Sequence, residues 1–346
     1  MFFVQQLRPN VCKAEAITND LIAVAERQDS IGHLAEAQNW SAYTSMVAGA
    51  FEVAASTFDR AWTRLESFAN PRLTQERALQ MPQGRTIWQW GTLQNNRILS
   101  GWNLWFLGYP DRALDRLNSA SAIAQLPGAP KDILADIHGF ATYVYELRGE
   151  PAQMKARAAA RLALANEEGY FTGRAIAEIY LGWADALAGD LEAGIPRMKH
   201  HLLELRTAGS EYISDRCLAF LAAAFGQMGS FDEGLHAIDE GFQFIERTGQ
   251  RYYEAELHRL KGELLLAETS SNAQAEECFR TAIDVARRQH AKSWELRATT
   301  SLARLLRDTN QRDEARAMLA EIYNWFTEGF DTADLKDAKA LLDQLA

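Results

Sequence analysis

The feature of this sequence that most constrains its fold is a row of glycines at nearly constant spacing. Successive members lie 20, 21, 20, 20, 20, 20 and 20 residues apart. Glycine enters the left-handed backbone conformation without a Cβ penalty and is enriched just after helix ends. Each member is therefore predicted to end one helix: Gly108, Gly128, Gly149, Gly169, Gly189, Gly209, Gly229 and Gly249.

The segments between these glycines have the composition and the periodicity of helices. They are rich in Ala, Leu, Glu, Arg and Gln, and their apolar residues recur at helical rather than alternating spacing. A helix of roughly 17 residues is about 25 Å long, and a short turn makes its neighbour antiparallel. Two helices thus form one repeat of about 40 residues, and no segment favours a strand.

Two rows of small residues recur at fixed places in these helix pairs. One row lies seven residues before the turn inside each pair, and the other lies five residues after that turn. Helix axes that cross at 8–10 Å leave no room for long side chains, so both rows are predicted to form the helix crossings. The first row is Ala42, Gly101, Thr142, Gly182, Ala222, Gly262 and Ala303, and the second is Ala54, Ala113, Met154, Gly194, Gly234, Ala275 and Ala315.

These repeats predict an all-α fold, a right-handed superhelix of about eight helical hairpins that forms a single domain over residues 1–346. The first interval of the small-residue row is 59 residues, about 19 more than the others, so an irregular insert is expected at about residues 68–86. Pro71, Pro82 and Gly84 break the pattern there. A last helix over about residues 332–345 is expected to cap the open end of the stack.

Composition excludes several kinds of partner and compartment. The formal net charge is −10, which repels phosphate backbones and anionic lipid, so neither nucleic acid nor a membrane is an expected partner. No run approaches about 18 consecutive apolar residues. The three cysteines, Cys12, Cys217 and Cys278, lie far apart and predict no disulfide framework. A reducing cytoplasmic location is expected.

The motifs of common enzymes are missing from the sequence. There is no Gly-Lys-Ser/Thr phosphate loop, no His-Glu-x-x-His metal motif and no nucleophile elbow. No catalytic residue, cofactor or metal ligand is therefore predicted. An enzyme built on helical repeats stays a third-ranked alternative, which a metal or two converging carboxylates in a closed cavity would favour.

One long helix before Gly108 concentrates aromatic and amide side chains. A helix that only packs needs fewer of them, so this helix is a candidate recognition surface for a partner or an effector. Packing of the tryptophans against the next hairpin is the alternative. The candidate binding residues here are Trp88, Trp90, Asn96, Arg97 and Trp102.

A second candidate stripe lies in the segment RYYEAELHRLKGELLLAE. Glu256, Arg259 and Glu263 are spaced i, i+3 and i+7, which places them on one face of a helix. Small neighbours at Ala255 and Gly262 would allow Arg259 to lie partly buried against another helix. Either the three form a salt-bridge ladder within the helix, or Arg259 contacts an anionic group in the groove, with Glu256 beside it.

Four segments carry a resemblance to a known family. Residues 255–266, 275–305 and 323–345, and more loosely 101–120, resemble the C-terminal tetratricopeptide-like repeat region of bacterial signalling proteins. Those proteins join an adenylate/guanylate cyclase domain or a DNA-binding domain to a STAND-type ATPase and then to such an array. The resemblance covers the chain from about Ala42 and implies a regulatory arm that responds to an effector or partner. Neither the ATPase nor the cyclase lies in this sequence.

Shape and resemblance together predict the function of the chain. A stacked array leaves a concave face that is free to bind an extended peptide or a partner helix. The leading hypothesis is a non-catalytic scaffold that binds a protein or peptide in bacterial signal transduction, acting on an attached or separate ATPase or cyclase module. The alternative is a sensor that binds a small effector between repeats, for which an enclosed pocket rather than an open groove would be the sign.

Overall fold

A computed structural model describes residues 9–68, 83–124, 131–269 and 271–346, and the regular structure in these ranges is entirely α-helical. The chain folds as a tetratricopeptide-like solenoid. Within the described ranges, seven antiparallel hairpins lie between the first helix and the last. In chain order the helices are α1 (Val11–Arg27), α2 (Ile31–Val47), α3 (Phe51–Phe68), α4 (Gln83–Phe106), α5 (Pro110–Ala124), α6 (Lys131–Leu147), α7 (Pro151–Glu168), α8 (Phe171–Leu187), α9 (Leu191–Thr207), α10 (Ser214–Met228), α11 (Phe231–Thr248), α12 (Glu254–Thr269), α13 (Asn272–Arg288), α14 (Lys292–Asp308), α15 (Arg312–Trp325) and α16 (Ala333–Gln344).

The glycines end the helices as their spacing predicts. Seven of the eight adopt the left-handed conformation, with φ between +70° and +91°, and Gly128 lies outside the described residues. Gly49 extends the series towards the N-terminus with a φ of 84°. After Gly249 other residues take over the role, and Asn310 has a φ of 64° in the turn between α14 and α15. Asn tolerates this conformation better than most non-glycine residues.

The two rows of small residues form the helix crossings inside the hairpins. All fourteen members are buried. A Cβ atom placed on Gly182 of α8 would lie 3.0 Å from the carbonyl oxygen of Gly194 on α9, and one on Gly262 of α12 would lie 3.1 Å from that of Ala275 on α13. The first row therefore meets the second row at these crossings, as the register predicts.

A pair of alanine substitutions tests this register. A Cβ on Gly194 would lie 2.5 Å from the backbone oxygen of Gly182, so Gly194→Ala should lower the free energy of unfolding by about 1–3 kcal/mol. Gly173 is the matched control, because its Cβ would make an ordinary contact at 3.5 Å. Gly173→Ala should be neutral or stabilising by up to about 1 kcal/mol. Equal thermal unfolding midpoints for the two variants would show that the helix crossing does not require the absence of a Cβ atom at Gly194.

Hairpins far apart in the sequence contact each other because the superhelix closes on itself. Ser293 Oγ donates to the Trp105 carbonyl oxygen at 2.5 Å, and the Gly329 amide donates to Asp111 Oδ2 at 2.8 Å. These partners are separated by 188 and 218 residues, which is roughly five repeats. The later superhelical turn therefore packs on the earlier one.

Arg148 is the centre of this contact between turns. Its side chain is buried, and it donates to the Pro110 carbonyl oxygen at 2.8 Å, to Asp111 at 3.1 Å and to Asp331 at 3.2 Å. The Ala333 amide in turn donates to the Arg148 carbonyl oxygen at 3.3 Å. The guanidinium offers five donors in a planar fork, so one side chain satisfies partners from both turns. It thereby places α16 against the end of α6.

Helix α16 packs on α14 and α15 with Leu335, Ala338 and Leu341. It lies where the sequence predicts a last helix, at about residues 332–345. Of the irregular insert expected at about residues 68–86, residues 69–82 lie outside the described residues. Phe68 still belongs to α3 and residues 83–86 already belong to α4, so the helix begins before Gly84 rather than after it. No helix in the described ranges is long and apolar enough to cross a membrane.

The turn glycines provide a test of the contact between turns. Gly149 and Gly189 share the left-handed conformation, with φ of +70° and +91°, so alanine strains both by about 1–2 kcal/mol. A Cβ on Gly149 would also lie 2.5 Å from Ala333 Cβ, whereas nothing lies within 4 Å of one on Gly189. Gly149→Ala should therefore destabilise the protein by about 1–3 kcal/mol more than Gly189→Ala. Indistinguishable thermal unfolding curves for the two variants would contradict the packing of one superhelical turn on the next.

Candidate functional site

The inner face of the solenoid contains a cleft of about 680 Å³. Residues from α6, α8, α10, α12, α14 and α16 line it, so it runs across the first helix of several hairpins. On α12 the lining residues recur every three or four positions, because a helix repeats its face every 3.6 residues. That stripe consists of Glu256, Arg259, Leu260, Glu263 and Leu264.

One wall of the cleft is apolar. The rings of Trp183 on α8 and Phe220 on α10 stack in parallel with centroids 4.9 Å apart. Gly226 allows α10 to pack closely on α12 beside them, since a Cβ on Gly226 would lie 2.9 Å from Leu264 Cδ2. Ala223 is half-buried at the same wall. This wall offers contact area to an apolar group.

Arg259 dominates a second, charged wall of the cleft. Its Nε and Nη2 atoms each donate to one carboxylate oxygen of Glu256 at 2.7 Å, and Nη1 also donates to Glu263. Burial opposes its charge, but Glu256 and Glu263 outweigh that cost and hold the pKa of Arg259 above its ordinary value. The salt-bridge ladder expected from the sequence is thus present, and it faces the cleft.

Two further ion pairs continue this wall on α14 and α16. Arg297 Nε lies 2.8 Å from Asp334 Oδ2, and its Nη2 donates to the Leu147 carbonyl oxygen at 2.7 Å. Arg304 pairs with Asp337. Because the partners sit on different helices, these pairs bind the C-terminal helices to each other and to the end of α6.

Glu146 forms the floor of the cleft together with Tyr253. The Tyr253 hydroxyl donates to Glu146 Oε2 at 3.1 Å. Burial raises the pKa of Glu146 to about 7, although the positive charges of Arg216 and Arg297 partly offset the burial. Within the described ranges, no arginine, lysine or histidine nitrogen lies within 4 Å of this carboxylate. A group with such a pKa changes charge near neutral pH.

A buried arginine lies in an aromatic cage near this floor. Arg216 is 1% exposed, donates to the Tyr180 hydroxyl at 2.5 Å and has its guanidinium 4.2 Å from the Tyr143 ring centre and 4.7 Å from that of Trp102. Its neighbour Asp215 accepts from the Tyr252 hydroxyl at 3.1 Å. Burial raises the pKa of Asp215 to about 6. An aromatic cage and a carboxylate together stabilise a buried guanidinium.

Several polar atoms around Arg216 are buried without a protein partner in the described part of the chain. They are Arg216 Nε, Asp215 Oδ2 and Trp102 Nε1. Buried polar atoms are nearly always hydrogen-bonded, to protein or to water. This centre of the solenoid thus has both donors and an acceptor to offer.

Two of the candidate residues on α4, Asn96 and Arg97, do not line the cleft. Asn96 is 1% exposed, and its amide donates to Asn39 Oδ1 at 2.7 Å and to the Phe58 carbonyl oxygen at 3.0 Å. Arg97 stacks on the Trp62 ring at 3.3 Å. The side chains of Trp88 and Trp90 lie outside the described residues. A binding role for these four stays a prediction.

Trp102, Glu256 and Arg259 lie at or beside the cleft. Glu256 and Arg259 line it. Trp102 is 3% exposed and belongs to the cage around Arg216. The structure therefore brings the α12 stripe and one aromatic residue of α4 to the centre of the solenoid, and their binding role too stays a prediction.

Other lining residues were not singled out from the sequence as binding residues, chiefly Glu146, Trp183, Arg297 and Asp334. One signal was present for Trp183, because Gly182-Trp183 repeats the pair Gly101-Trp102. The two tryptophans have different surroundings, because the Trp102 ring centre lies 5.5 Å from that of Tyr252 and 4.7 Å from the Arg216 guanidinium, whereas Trp183 stacks on Phe220 at the cleft. No comparable signal marks the three charged residues.

One group of side chains has the chemistry of a metal site. The ligand atoms of His200, His201 and Glu204 on α9 lie within 4.8 Å of one another. The Glu204 carboxylate is already engaged, because it pairs with His201 Nδ1 at 2.8 Å and with Arg174. None of the three lines the cleft.

Comparisons with known proteins give a limited sequence relationship. No protein-family model matches the chain. A protein of Rhizobium meliloti (strain 1021), named only as uncharacterized, is 29% identical over 128 residues. The match covers 37% of this chain and 12% of that protein. The chain thus corresponds to a small part of a much longer relative.

Solved structures share the fold over nearly the whole chain. The Rap conjugation gene regulator of the plasmid pLS20, in complex with the Phr* peptide, has a TM-score of 0.59 and 11% identity, over 93% of this chain and 77% of that one. A Rap protein complexed with competence and sporulation factor scores 0.54 at 10% identity, over 97% and 96%. Aspartyl phosphate phosphatase F from Bacillus subtilis scores 0.52 at 12%, over 91% and 75%. At these identities the likeness is one of fold.

The pKa of Glu146 predicts how stability depends on pH. A carboxyl group whose pKa is raised in the folded state, here from 4.5 to about 7, stabilises the fold fully below pH 4.5 and loses that contribution as pH rises through 7. Glu146→Gln keeps the acceptor for Tyr253 and removes the charge. The free energy of unfolding of the variant, relative to that of the wild type, should rise by about 1–3 kcal/mol from pH 5 to pH 8. Denaturant unfolding at both pH values measures this gain. A difference between variant and wild type that is the same at pH 5 and pH 8 would show that Glu146 does not titrate in this range.

Proposed function

We propose that this solenoid binds a short peptide, or an extended segment of a protein partner, in the inner cleft and regulates signalling through that binding. The observation that carries the proposal is the cleft itself, which combines an apolar wall at Trp183 and Phe220 with a charged wall at Arg259 and Arg297. No step of chemistry is part of the proposed role.

A peptide suits the two walls because it offers both kinds of contact. Apolar side chains would pack on the Trp183 and Phe220 rings, and backbone amides and carbonyls would hydrogen-bond to the exposed side-chain amide of Gln227. The cleft crosses several helices, which favours an elongated ligand. Two of the similar structures were solved with the Phr* peptide and with competence and sporulation factor, respectively.

The regulatory part of the proposal includes an attached or separate enzyme module. Its support is the resemblance of the repeats to the C-terminal arrays of cyclase-linked and STAND ATPase-linked signalling proteins. The Rhizobium meliloti relative adds to it, since 128 matched residues are 12% of that protein. In such an arrangement the solenoid would respond to its ligand and act on the module through a change in the superhelix.

A small-molecule effector is the second candidate. The cleft volume of about 680 Å³ lies inside the range of about 300–1,000 Å³ typical of small-ligand sites. The same volume limits a peptide ligand to a few residues. The two candidates therefore share one site and differ in the chemistry of the ligand.

A display experiment tests the peptide proposal. Random peptides of five residues are selected against the wild-type chain and against Ala223→Arg, which places a long side chain in the cleft. Ala159→Arg is the matched control, because Ala159 is exposed on α7 and does not line the cleft. Peptides enriched on the wild type should bind the control equally and lose at least tenfold in affinity on Ala223→Arg.

Circular dichroism and thermal unfolding establish that both variants are folded before binding is measured. Enriched peptides that bind Ala223→Arg as well as the wild type would place the site elsewhere. Selection of no peptide would overturn the peptide proposal. A library of small polar metabolites screened by thermal shift on the same variants then tests the effector candidate.

A further inference from the structure

The charges that line the cleft do not balance. Among its described lining residues, five carboxylates face three guanidiniums, so the cleft has an excess of two negative charges when all are ionised. The carboxylates belong to Glu146, Glu256, Glu263, Asp334 and Asp337, and the guanidiniums to Arg259, Arg297 and Arg304. The lining thus attracts a cation more than an anion.

The pairing of these groups shows where the excess lies. Arg297 is paired with Asp334 at 2.8 Å, Arg304 with Asp337, and Arg259 with Glu256 at 2.7 Å. Two acids remain, Glu263 and Glu146. Glu263 shares Arg259 with Glu256. Glu146 has a tyrosine hydroxyl as its partner at 3.1 Å and, within the described ranges, no cation within 4 Å. The position best suited to a ligand cation is therefore the floor.

The apolar wall determines what accompanies the cation. Trp183 and Phe220 present stacked rings at the same cleft. A small inorganic cation would leave this wall without contact, whereas a lysine or arginine side chain brings an apolar stem and a polar head. A neighbouring apolar side chain in the same ligand would cover the rings.

We propose that the cleft selects peptides that carry a lysine or arginine directed at Glu146, next to an apolar residue that packs on Trp183 and Phe220. The inference rests on the proposed function and adds the class of peptide. Binding then forms a charge-assisted pair at the floor, in an environment that is shielded from water and where such a pair is stronger than at the surface.

The electrostatic surroundings of Glu146 give this binding a pH dependence. Tyr253 and Glu256 approach it from α12 and its N-terminal end, Arg216 from α10 and Arg297 from α14. Because the pKa of Glu146 lies at about 7 in the empty cleft, part of the population is protonated at neutral pH. Affinity for a basic peptide should rise between pH 6 and pH 8, since the carboxylate must be ionised to form the pair.

The test uses a library of random five-residue peptides with acetylated N-termini and amidated C-termini, so that charge comes from side chains alone. The wild type should enrich Lys and Arg over Asp and Glu at least fivefold. Glu146→Gln should reduce that enrichment at least threefold and remove the rise in affinity with pH. Glu192→Gln is the matched control, because Glu192 is exposed on α9 and the substitution changes the net charge equally.

The outcomes separate this inference from the proposed function. Peptides that lose binding on Ala223→Arg but show no basic preference would overturn the inference and leave peptide binding intact. An equal loss of basic preference in Glu146→Gln and Glu192→Gln would assign it to net charge and would also overturn the inference. Selection of no peptide at all would remove the proposed function and the inference together.

Discussion

The rest of this structure depends on the contact between one superhelical turn and the next. Arg148 holds it by donating to Pro110, Asp111 and Asp331, which belong to both turns. Gly108 and Gly149, which follow the ends of α4 and α6, allow close approach there. A Cβ on either would lie 2.5 Å from a side chain of the other superhelical turn, Trp325 and Ala333 respectively. Without this contact α14 and α16 would not face α6, and the charged wall of the cleft would not exist. The cleft is therefore a product of closure rather than of any single repeat.

Closure also explains why charged groups lie inside the solenoid. Arg216 lies against tryptophan and tyrosine rings, and Arg297 lies against tryptophan rings and pairs with Asp334 from another helix. Burying such groups is costly unless each is paired and hydrogen-bonded. Pairing is nearly complete on the α14 and α16 side and incomplete at Glu146, where burial raises the pKa to about 7. Incomplete pairing at an accessible floor distinguishes a candidate ligand site from a core that only stabilises the fold.

Equivalent positions in different repeats have come to differ in role. Trp102 and Trp183 follow glycines of the same row, Gly101 and Gly182. Trp102 is 3% exposed in the cage around Arg216, whereas Trp183 is half-buried at the apolar wall. The difference arises because Arg216 of α10 and Tyr252 pack on Trp102, whereas Trp183 lies beside Phe220 at the cleft. The repeated sequence thus places a tryptophan at the same position in both repeats, but one of them is buried in the core and the other lines the cleft.

The sequence by itself determined the helices, their hairpin register and the crossings, because these depend on neighbours within about 40 residues. A glycine at the turn and a small residue such as Gly182 or Gly194 at the crossing are enough to define them. It also marked Glu256 and Arg259 as one stripe, since helical spacing is local. Only the tertiary structure decided that the stripe faces Arg297 and Glu146. The number of repeats per superhelical turn results from small rotations that add up over successive hairpins, and no local pattern encodes that sum.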